Sequence, residues 1–187
     1  MILDPKCPPE PDDYYMSIAL AVRRRANCRR SRVGAIIVKN NRIISTGYNG
    51  VPEGMTNCLK AGCFRCSSTK DQFPPGTGYD VCICVHAEQN AVLAAARFGI
   101  SVEGAHLYTT MQPCYGCAKE LLQAHISRVV YVHPWVPKND GNAEMDAAMK
   151  KEYKKILSKL HIVHLDSFND PAEQWATGKP DTAKHAA

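Results

Sequence analysis

Four residues of this 187-residue chain have the types and spacing needed to bind a metal ion and use it. His86 and Glu88 are separated by one residue, and Cys114 and Cys117 follow Pro113 as a Cys-x-x-Cys pair. Cysteines at this spacing in a first helical turn place both thiolates on the same side of the helix. One histidine and two cysteines would supply three zinc ligands and leave a fourth position open, which is the catalytic form of a zinc site.

The predicted secondary structure places these residues at the starts of two helices. Hydrophobic periodicity predicts one helix over Ala87–Phe98 and the next over Cys114–Ala124. Helix N-termini carry the positive end of the helix dipole, which lowers thiolate pKa values and favours anionic ligands. Glu88 lies close to the metal position without being needed as a ligand. We therefore expect Glu88 to carry protons between water and substrate.

The other predicted elements indicate an α/β fold. After a first helix the order is β-β-α-β-α-β-α-β, which predicts helices covering a sheet that is largely parallel apart from its opening hairpin. The further elements are a helix over about 12–27, strands at 33–38, 42–48, 105–110, 128–133 and 161–165, and a helix over about 144–160. Residues 1–11 are expected to form a flexible leader, residues 12–166 the domain, and residues 167–187 a polar C-terminal tail.

The composition narrows the class of protein. Apolar residues make up 45% of the chain and charged residues 22%, which excludes disordered, collagen-like and coiled-coil chains. No apolar run approaches the roughly 18 residues of a membrane span, and the N-terminus lacks the apolar core of a signal peptide. We therefore expect a cytoplasmic protein without membrane contact. The net charge of +5 permits an anionic ligand but does not require nucleic acid.

Cysteine is unusually frequent, with nine in the chain. In a reducing compartment this density indicates metal ligands or catalysis rather than disulfides. Cys7 lies in the leader and is expected to be free. Six more surround a Gly- and Pro-rich segment at 49–81 that has no clear period, and these are Cys28, Cys58, Cys63, Cys66, Cys82 and Cys84. A loop of this length needs its own stabilisation, which a metal ion would provide, and the alternative is a set of buried free thiols.

The His86-Ala87-Glu88 and Pro113–Cys117 segments together match the signature of zinc-dependent nucleobase deaminases. Over most of residues 14–165 the chain resembles the cytidine/deoxycytidylate deaminase superfamily. The segments Arg32–Ala35, Ser45–Gly50 and Cys84–Ala91 resemble the deoxycytidylate (dCMP) deaminases within it. The resemblance implies a three-layer α-β-α cytidine deaminase-like fold with a mixed five-stranded sheet. It also implies hydrolysis of dCMP to dUMP and ammonia, which supplies dUMP for dTTP synthesis.

The same resemblance implies roles for individual residues. The catalytic zinc would be held by His86, Cys114 and Cys117, with Glu88 as the proton carrier. The substrate would contact Asn49, Ala87, Glu88, Pro113 and Trp135. Asn49 would bond the sugar, and Trp135, near where the family commonly has a tyrosine, would stack on the base or simply pack. Activation by dCTP and inhibition by dTTP would involve Arg30, Ser31, Arg32, Gly50 and Gly54, although a solvated helix end also explains the arginines.

Further cofactors and assembly also follow from the resemblance. Some relatives carry a second, structural zinc, and Cys28, Cys58 and Cys84 match its ligand positions. Cys66 is our choice for the fourth ligand, with Cys63 and Cys82 as alternatives; two further ions would need extra ligands. Magnesium would accompany the nucleotide effectors, and the chain would assemble as a homohexamer that binds free pyrimidine deoxynucleotides and not nucleic acid.

Three alternatives remain at this stage. The enzyme could act on dCTP, alone or together with dCMP, because Trp135 departs from the family pattern. It could instead act on a nucleic-acid base. The chain could also be a non-catalytic zinc-binding module, in which case Glu88→Ala would be silent, whereas an enzyme would lose turnover and keep its zinc.

Overall fold

The computed structural model describes residues 7–74, 77–136 and 143–177. Five strands and several helices make up this part of the chain. The strands are β1 (Gly34–Lys39), β2 (Arg42–Tyr48), β3 (His106–Met111), β4 (Arg128–His133) and β5 (His161–His164). The helices are α1 (Pro11–Arg23), α2 (Phe64–Ser67), α3 (Ala87–Arg97), α4 (Tyr115–Gln123), α5 (Ala143–Leu157) and α6 (Gln174–Thr177).

As predicted, the strands form one mixed five-stranded sheet, and its strand order is β2-β1-β3-β4-β5. β3, β4 and β5 run parallel, whereas β1 runs antiparallel to both β2 and β3. β1, a strand of the predicted hairpin, is therefore the one that runs against the other four, and it has antiparallel neighbours on both sides. The reason is the α3 crossover, which skips β1 and returns the chain in the direction of β2. β3 consequently lies beside β1 and runs opposite to it.

Alternating residues of the sheet bury two cores, which gives the predicted three-layer arrangement. Ala35 and Ile37 of β1 face the core beneath α3 and α4, while Ile36 and Val38 face the core beneath α1. Helix α5 packs beside α4, with Tyr153 buried between them.

Two glycines allow helices to approach the hairpin closely. A Cβ atom on Gly47 would lie 2.1 Å from the carbonyl oxygen of Ala87, and one on Gly34 would lie 2.3 Å from that of Ala19. Either contact is far inside van der Waals distance. Glycine at position 47 therefore sets the distance between β2 and the start of α3, where the predicted site begins.

Helix boundaries differ from prediction where tertiary contacts intervene. Helix α1 ends at Arg23 rather than near Asn27, because the Asn27 N–H pairs with the carbonyl of Asn49. Helix α5 ends at Leu157, three residues before the predicted end. Among the described helices, none combines the length and hydropathy that a membrane span requires.

The described part of the predicted tail contacts the domain. The Asp170 carboxylate accepts hydrogen bonds from the Arg23 guanidinium and pairs with His133 Nε2, with shortest distances of 2.6 Å to each. Trp175 lies beneath the guanidinium of Arg32. Residues 1–6 of the predicted leader and 178–187 of the tail lie outside the described residues, and the division of the chain into three parts stays a prediction.

Candidate active site

Three potential zinc ligands meet between the starts of α3 and α4. His86 precedes the first residue of α3, Cys114 precedes that of α4, and Cys117 lies in the first turn of α4. The Nδ1 atom of His86 is 3.3 Å from Cys114 Sγ and 3.4 Å from Cys117 Sγ. Tetrahedral zinc with ordinary Zn–N and Zn–S bonds separates such atoms by about 3.5 Å. The donor set and its spacing therefore fit a zinc ion.

Gln89 links the two helices that carry these ligands. Its side-chain oxygen accepts a hydrogen bond from the backbone N–H of His86 at 3.0 Å. Its side-chain nitrogen donates to a carboxylate oxygen of Glu120 in α4 at 2.9 Å. One side chain thus holds the start of α3 and contacts α4.

Glu88 lies beside the ligand group, with only 4% of its surface exposed. One of its carboxylate oxygens is 3.8 Å from Cys117 Sγ. Burial raises the pKa of Glu88 to about 7, with a smaller opposing effect from His86. Because this pKa lies near neutral pH, the carboxyl can both accept and donate a proton. The hydrogen bond from Cys117, together with the imidazole of His86, lowers the pKa of Cys114 to about 4 despite its burial.

A cavity of about 400 Å³ opens onto these groups. Its lining includes Asn49, Ala87, Glu88 and Trp135 from the predicted substrate set. Pro113 is fully buried and is not among the lining residues; its carbonyl accepts a hydrogen bond from the Tyr153 hydroxyl. The cavity is thus bounded by the ligand group on one side and by four of the five predicted substrate residues.

Trp135 was expected beside the substrate, but its aromatic partner on the cavity wall, Tyr79, was not predicted from the sequence. The indole N–H of Trp135 donates to the Tyr79 hydroxyl at 3.2 Å, and the Tyr79 ring packs edge-on against His86 with centroids 5.6 Å apart. The Arg65 guanidinium lies 4.7 Å from the centroid of the Tyr79 ring. Both Tyr79 and Arg65 lie in the aperiodic segment, where no periodic signal could have indicated them.

Asn49 lines the cavity and also joins two backbone segments. Its side-chain nitrogen donates to the carbonyl of Ser31, and its side-chain oxygen accepts from the N–H of Val33, both at 2.8 Å. These bonds fix the end of β2 to the residues that precede β1.

The five predicted effector residues lie in different surroundings. Arg30 and Ser31 line the cavity, and the Arg30 guanidinium donates to the carbonyls of Ser68, Thr69 and Phe73. The Arg32 guanidinium lies 4.8 Å from the centroid of the Trp175 ring. Gly50 pairs with Val85 through two backbone hydrogen bonds, and Gly54 lies in an exposed turn. Of the five, only Arg30 and Ser31 could contact a ligand in this cavity.

Six of the seven other cysteines come together near this cavity. Cys28, Cys58, Cys66 and Cys84 form one group whose Sγ atoms all lie within 4.8 Å of one another. Cys63 and Cys82, which the sequence analysis treated as alternatives for the fourth ligand, form a second such group with Cys66 and Cys84. All of the described cysteines are free of disulfide bonds.

Comparison with known proteins identifies the family. The family model described as the cytidine and deoxycytidylate deaminase zinc-binding region matches residues 9–133. Since this match covers most of the chain and includes all three potential zinc ligands, the chain belongs to this family and carries its zinc-binding region.

Individual relatives are deoxycytidylate deaminases. The enzyme of Schizosaccharomyces pombe is 43% identical over 123 residues, which are 66% of this chain and 37% of that protein. That of Mycobacterium phage D29 is 41% identical over 66% of this chain and 94% of its own length. The chain thus spans well under half of the yeast relative and almost all of the phage one.

A solved structure supports the same relationship. The dCMP deaminase of cyanophage S-TIM5, in complex with dCMP and dUMP, superposes with a TM-score of 0.60 at 29% identity. The match covers 85% of this chain and 99% of that one. The three-layer fold therefore extends over nearly the whole phage enzyme.

Proposed function

We propose that this chain is a zinc-dependent enzyme that hydrolyses dCMP to dUMP and ammonia and so supplies dUMP for dTTP synthesis. The observation that carries this proposal is the buried carboxyl of Glu88, placed beside the group of His86, Cys114 and Cys117 on the wall of a cavity. Relatives named deoxycytidylate deaminase, and a similar fold in complex with dCMP and dUMP, support this choice of substrate.

The proposed chemistry centres on proton transfer by Glu88. Zinc held by the three ligands would supply Lewis-acid activation of the attacking water. Glu88 accepts a proton from this water and donates it to the ring nitrogen N3 as the oxygen bonds to C4. Glu88 then carries the second proton to the amino group, the C4–N bond breaks, and ammonia leaves. A carboxyl with a pKa of about 7 suits both directions of transfer.

The cavity also offers positions for the rest of the substrate. In this proposal Ala87 and Trp135 contact the base and Asn49 bonds the sugar, and the support is that all three line the cavity. Lys70 and Arg65 line the same cavity and supply positive charge for a phosphate. We favour free dCMP over a nucleic-acid substrate, because nucleic acid would favour a longer basic groove.

Further features complete the proposal. One structural zinc ion would be held by Cys28, Cys58, Cys66 and Cys84, whose buried thiols lie within reach of a single ion. The proposal also includes regulation by dCTP and dTTP with Mg²⁺, assembly as a homohexamer, and a cytoplasmic location. Arg30 and Ser31 are the effector candidates that line the cavity.

The test is ammonia release, with identification of the product, on dCMP, dCTP, CMP, deoxycytidine and adenosine, each with and without added dCTP. We expect selective turnover of dCMP, stimulation by dCTP, and loss of turnover in Glu88→Gln with zinc retained. Turnover of dCTP alone would contradict the assignment of substrate. No turnover of any compound by a zinc-loaded preparation would overturn the proposal.

A further inference from the structure

Six cysteines outside the catalytic group converge from separate parts of the chain. Cys28 follows α1, and Cys58 begins a short 3-10 turn. Cys63 directly precedes α2 and Cys66 lies within it, whereas Cys82 and Cys84 precede α3. Five of the six are buried, and Cys58 and Cys63 are completely inaccessible. With Val51 they form a core of their own, separate from the two cores of the sheet.

The sulfur–sulfur distances match those around a metal ion. Cys66 Sγ lies 3.6 Å from that of Cys28 and 3.9 Å from those of Cys82 and Cys84. Cys63 Sγ lies 3.9 Å from Cys82 Sγ. A disulfide would require about 2.05 Å, whereas zinc bonds of about 2.3 Å in a tetrahedron separate sulfurs by about 3.8 Å. The spacing thus corresponds to edges of thiolate tetrahedra.

The two four-cysteine groups share Cys66 and Cys84. Two tetrahedral ions need eight metal–ligand bonds, and six thiolates supply eight when two of them each bond both ions. We propose that the six cysteines hold a binuclear zinc cluster in which Cys66 and Cys84 bridge the two ions. Cys28 and Cys58 would be terminal ligands of one ion, and Cys63 and Cys82 of the other. Shared thiolates remove the need for the extra ligands that the sequence analysis expected.

A single ion would leave the arrangement of Cys63 and Cys82 unexplained. Cys63 would then be a fully buried thiol, and Cys82 would lie 3.9 Å from a metal-bound Cys66. Two zinc ions and six thiolates carry a net charge of −2. The backbone of Arg29 lies near Cys58 and that of Arg30 near Cys28, and the cationic side chain of Arg65 lies near Cys82. This positive surrounding suits a thiolate cluster.

The cluster also connects directly to the catalytic group. Cys84 lies two residues before His86, and the intervening Val85 pairs with Gly50, the residue after Asn49. Cys28, Cys82 and Cys84 line the same cavity as Glu88. The cluster would therefore hold the wall that carries Tyr79 and position both His86 and Asn49. This inference extends the structural zinc of the proposed function from one ion to two.

Native mass spectrometry of the full chain, compared with its denatured mass, would count the bound ions. We expect three zinc ions per chain: one catalytic and two in the cluster. Cys117→Ser should lose only the catalytic ion, and the double variant Cys63→Ser/Cys82→Ser only one cluster ion. Cys7→Ser is the matched control, because Cys7 is exposed and far along the chain from both groups, and it should keep all three.

A measurement on the unmodified chain keeps the test independent of whether the variants fold. In protein reconstituted with ¹¹³Cd, bridging thiolates should give two ¹¹³Cd resonances that are scalar-coupled to each other, and a third that is uncoupled. Two ions per chain, or three ions without coupling, would overturn the cluster, and one ion would overturn any structural zinc. Turnover of dCMP, measured on the same zinc-loaded preparation, tests the proposed function separately.

Discussion

The two groups of potential metal ligands in this protein are supported by different kinds of structure. His86, Cys114 and Cys117 project from the ends of α3 and α4, which pack on the sheet through buried residues such as Ala91 and Leu121. The six cysteines instead lie on or beside a segment whose regular structure is limited to short turns, and the cysteines make up most of its buried apolar residues. The catalytic group thus has a scaffold that exists without metal, and the cysteine group does not.

This difference has a physical consequence. Burial of apolar surface beneath α3 and α4 stabilises the catalytic geometry whether or not an ion is bound. In the cysteine segment a bound metal would replace the missing hydrophobic core, so its binding free energy would become folding free energy. We therefore expect metal loss to abolish catalysis at the group of His86, Cys114 and Cys117 without unfolding it. At the six cysteines we expect metal loss to unfold the segment.

The largest expected effect comes from Cys66→Ser, because Cys66 belongs to both four-cysteine groups. Structural zinc sites contribute on the order of 10 kcal/mol of apparent binding free energy, which is more than a local segment can lose and stay folded. Hydrogen–deuterium exchange should show residues 50–85 unprotected, while β1, β3 and β4 remain protected. Cys117→Ser is the matched comparison and should leave the segment protected. Equal protection in both variants would contradict the distinction between the two groups.

Glu88→Gln should alter the catalytic group in the opposite way, removing chemistry and sparing structure. The substitution keeps the shape of the side chain but removes the titrating carboxyl, so kcat should fall about 10²- to 10⁴-fold. Zinc content and the thermal midpoint should stay unchanged. Glu103→Gln is the control, because Glu103 is exposed in the turn before β3. A variant with near-normal kcat would show that Glu88 is not the proton carrier.

The contrast between the two groups also explains what the sequence could predict. His86, Glu88 and the Cys114–Cys117 pair lie on periodic helices in a recognisable signature, so their convergence followed from spacing and chain order. The sequence also sufficed to predict a metal site near the loop, because the cysteines there are so numerous. The sequence could not predict which thiols share an ion. In a segment without helical or strand periodicity, the separation of two residues in the sequence does not determine their distance in space.

Other features escaped prediction for the same reason. Tyr79 and Arg65 lie on the aperiodic segment, and their places on the cavity wall depend on how that segment folds. Asp170 lies in a stretch expected to be a polar tail, yet it pairs with Arg23, which is 147 residues earlier in the chain. A long-range ion pair of this kind leaves no local pattern in the sequence.

Asp170→Asn would test whether the scaffold can be weakened without affecting either metal group. Arg23 and Asp170 side chains are each only 2% exposed, so the variant leaves a buried guanidinium without its counter-charge. We expect the free energy of unfolding to fall by about 3 kcal/mol, with the zinc count unchanged. Chemical denaturation measures the loss, and Asp166→Asn, at an exposed site nearby, should be nearly neutral. A loss of zinc in Asp170→Asn would mean that the scaffold and the metal groups are not separable.

The same pair predicts a pH dependence of stability. Burial alone would raise the pKa of Asp170, but hydrogen bonds from His133 and Arg23 outweigh it and hold the pKa well below its usual range. A depressed carboxyl pKa adds stability above the unfolded value of about 3.9, and this stability is lost as the pH falls toward the folded value. The stability difference between the wild type and Asp170→Asn should therefore shrink as the pH falls below about 4. A difference that persisted undiminished in acid would contradict the ion-pair explanation.

The smallest expected effect is that of Gln89→Ala, and it tests most directly whether the two groups of ligands are independent. Gln89 orients the start of α3 through the His86 N–H and hydrogen-bonds Glu120, whereas among the described residues it makes no hydrogen bond to any of the six cysteines. Groups that orient metal ligands typically contribute at least tenfold to metal affinity, so the catalytic ion should be released to a chelator about tenfold more readily. The cysteine-bound ions should be released as in the wild type. Glu120→Ala, which removes only the link to α4, should have a smaller effect. If Gln89→Ala released both kinds of ion equally readily, the two groups would be coupled through Val85. The geometry of the catalytic group would then depend on the cysteine segment as well as on α3 and α4.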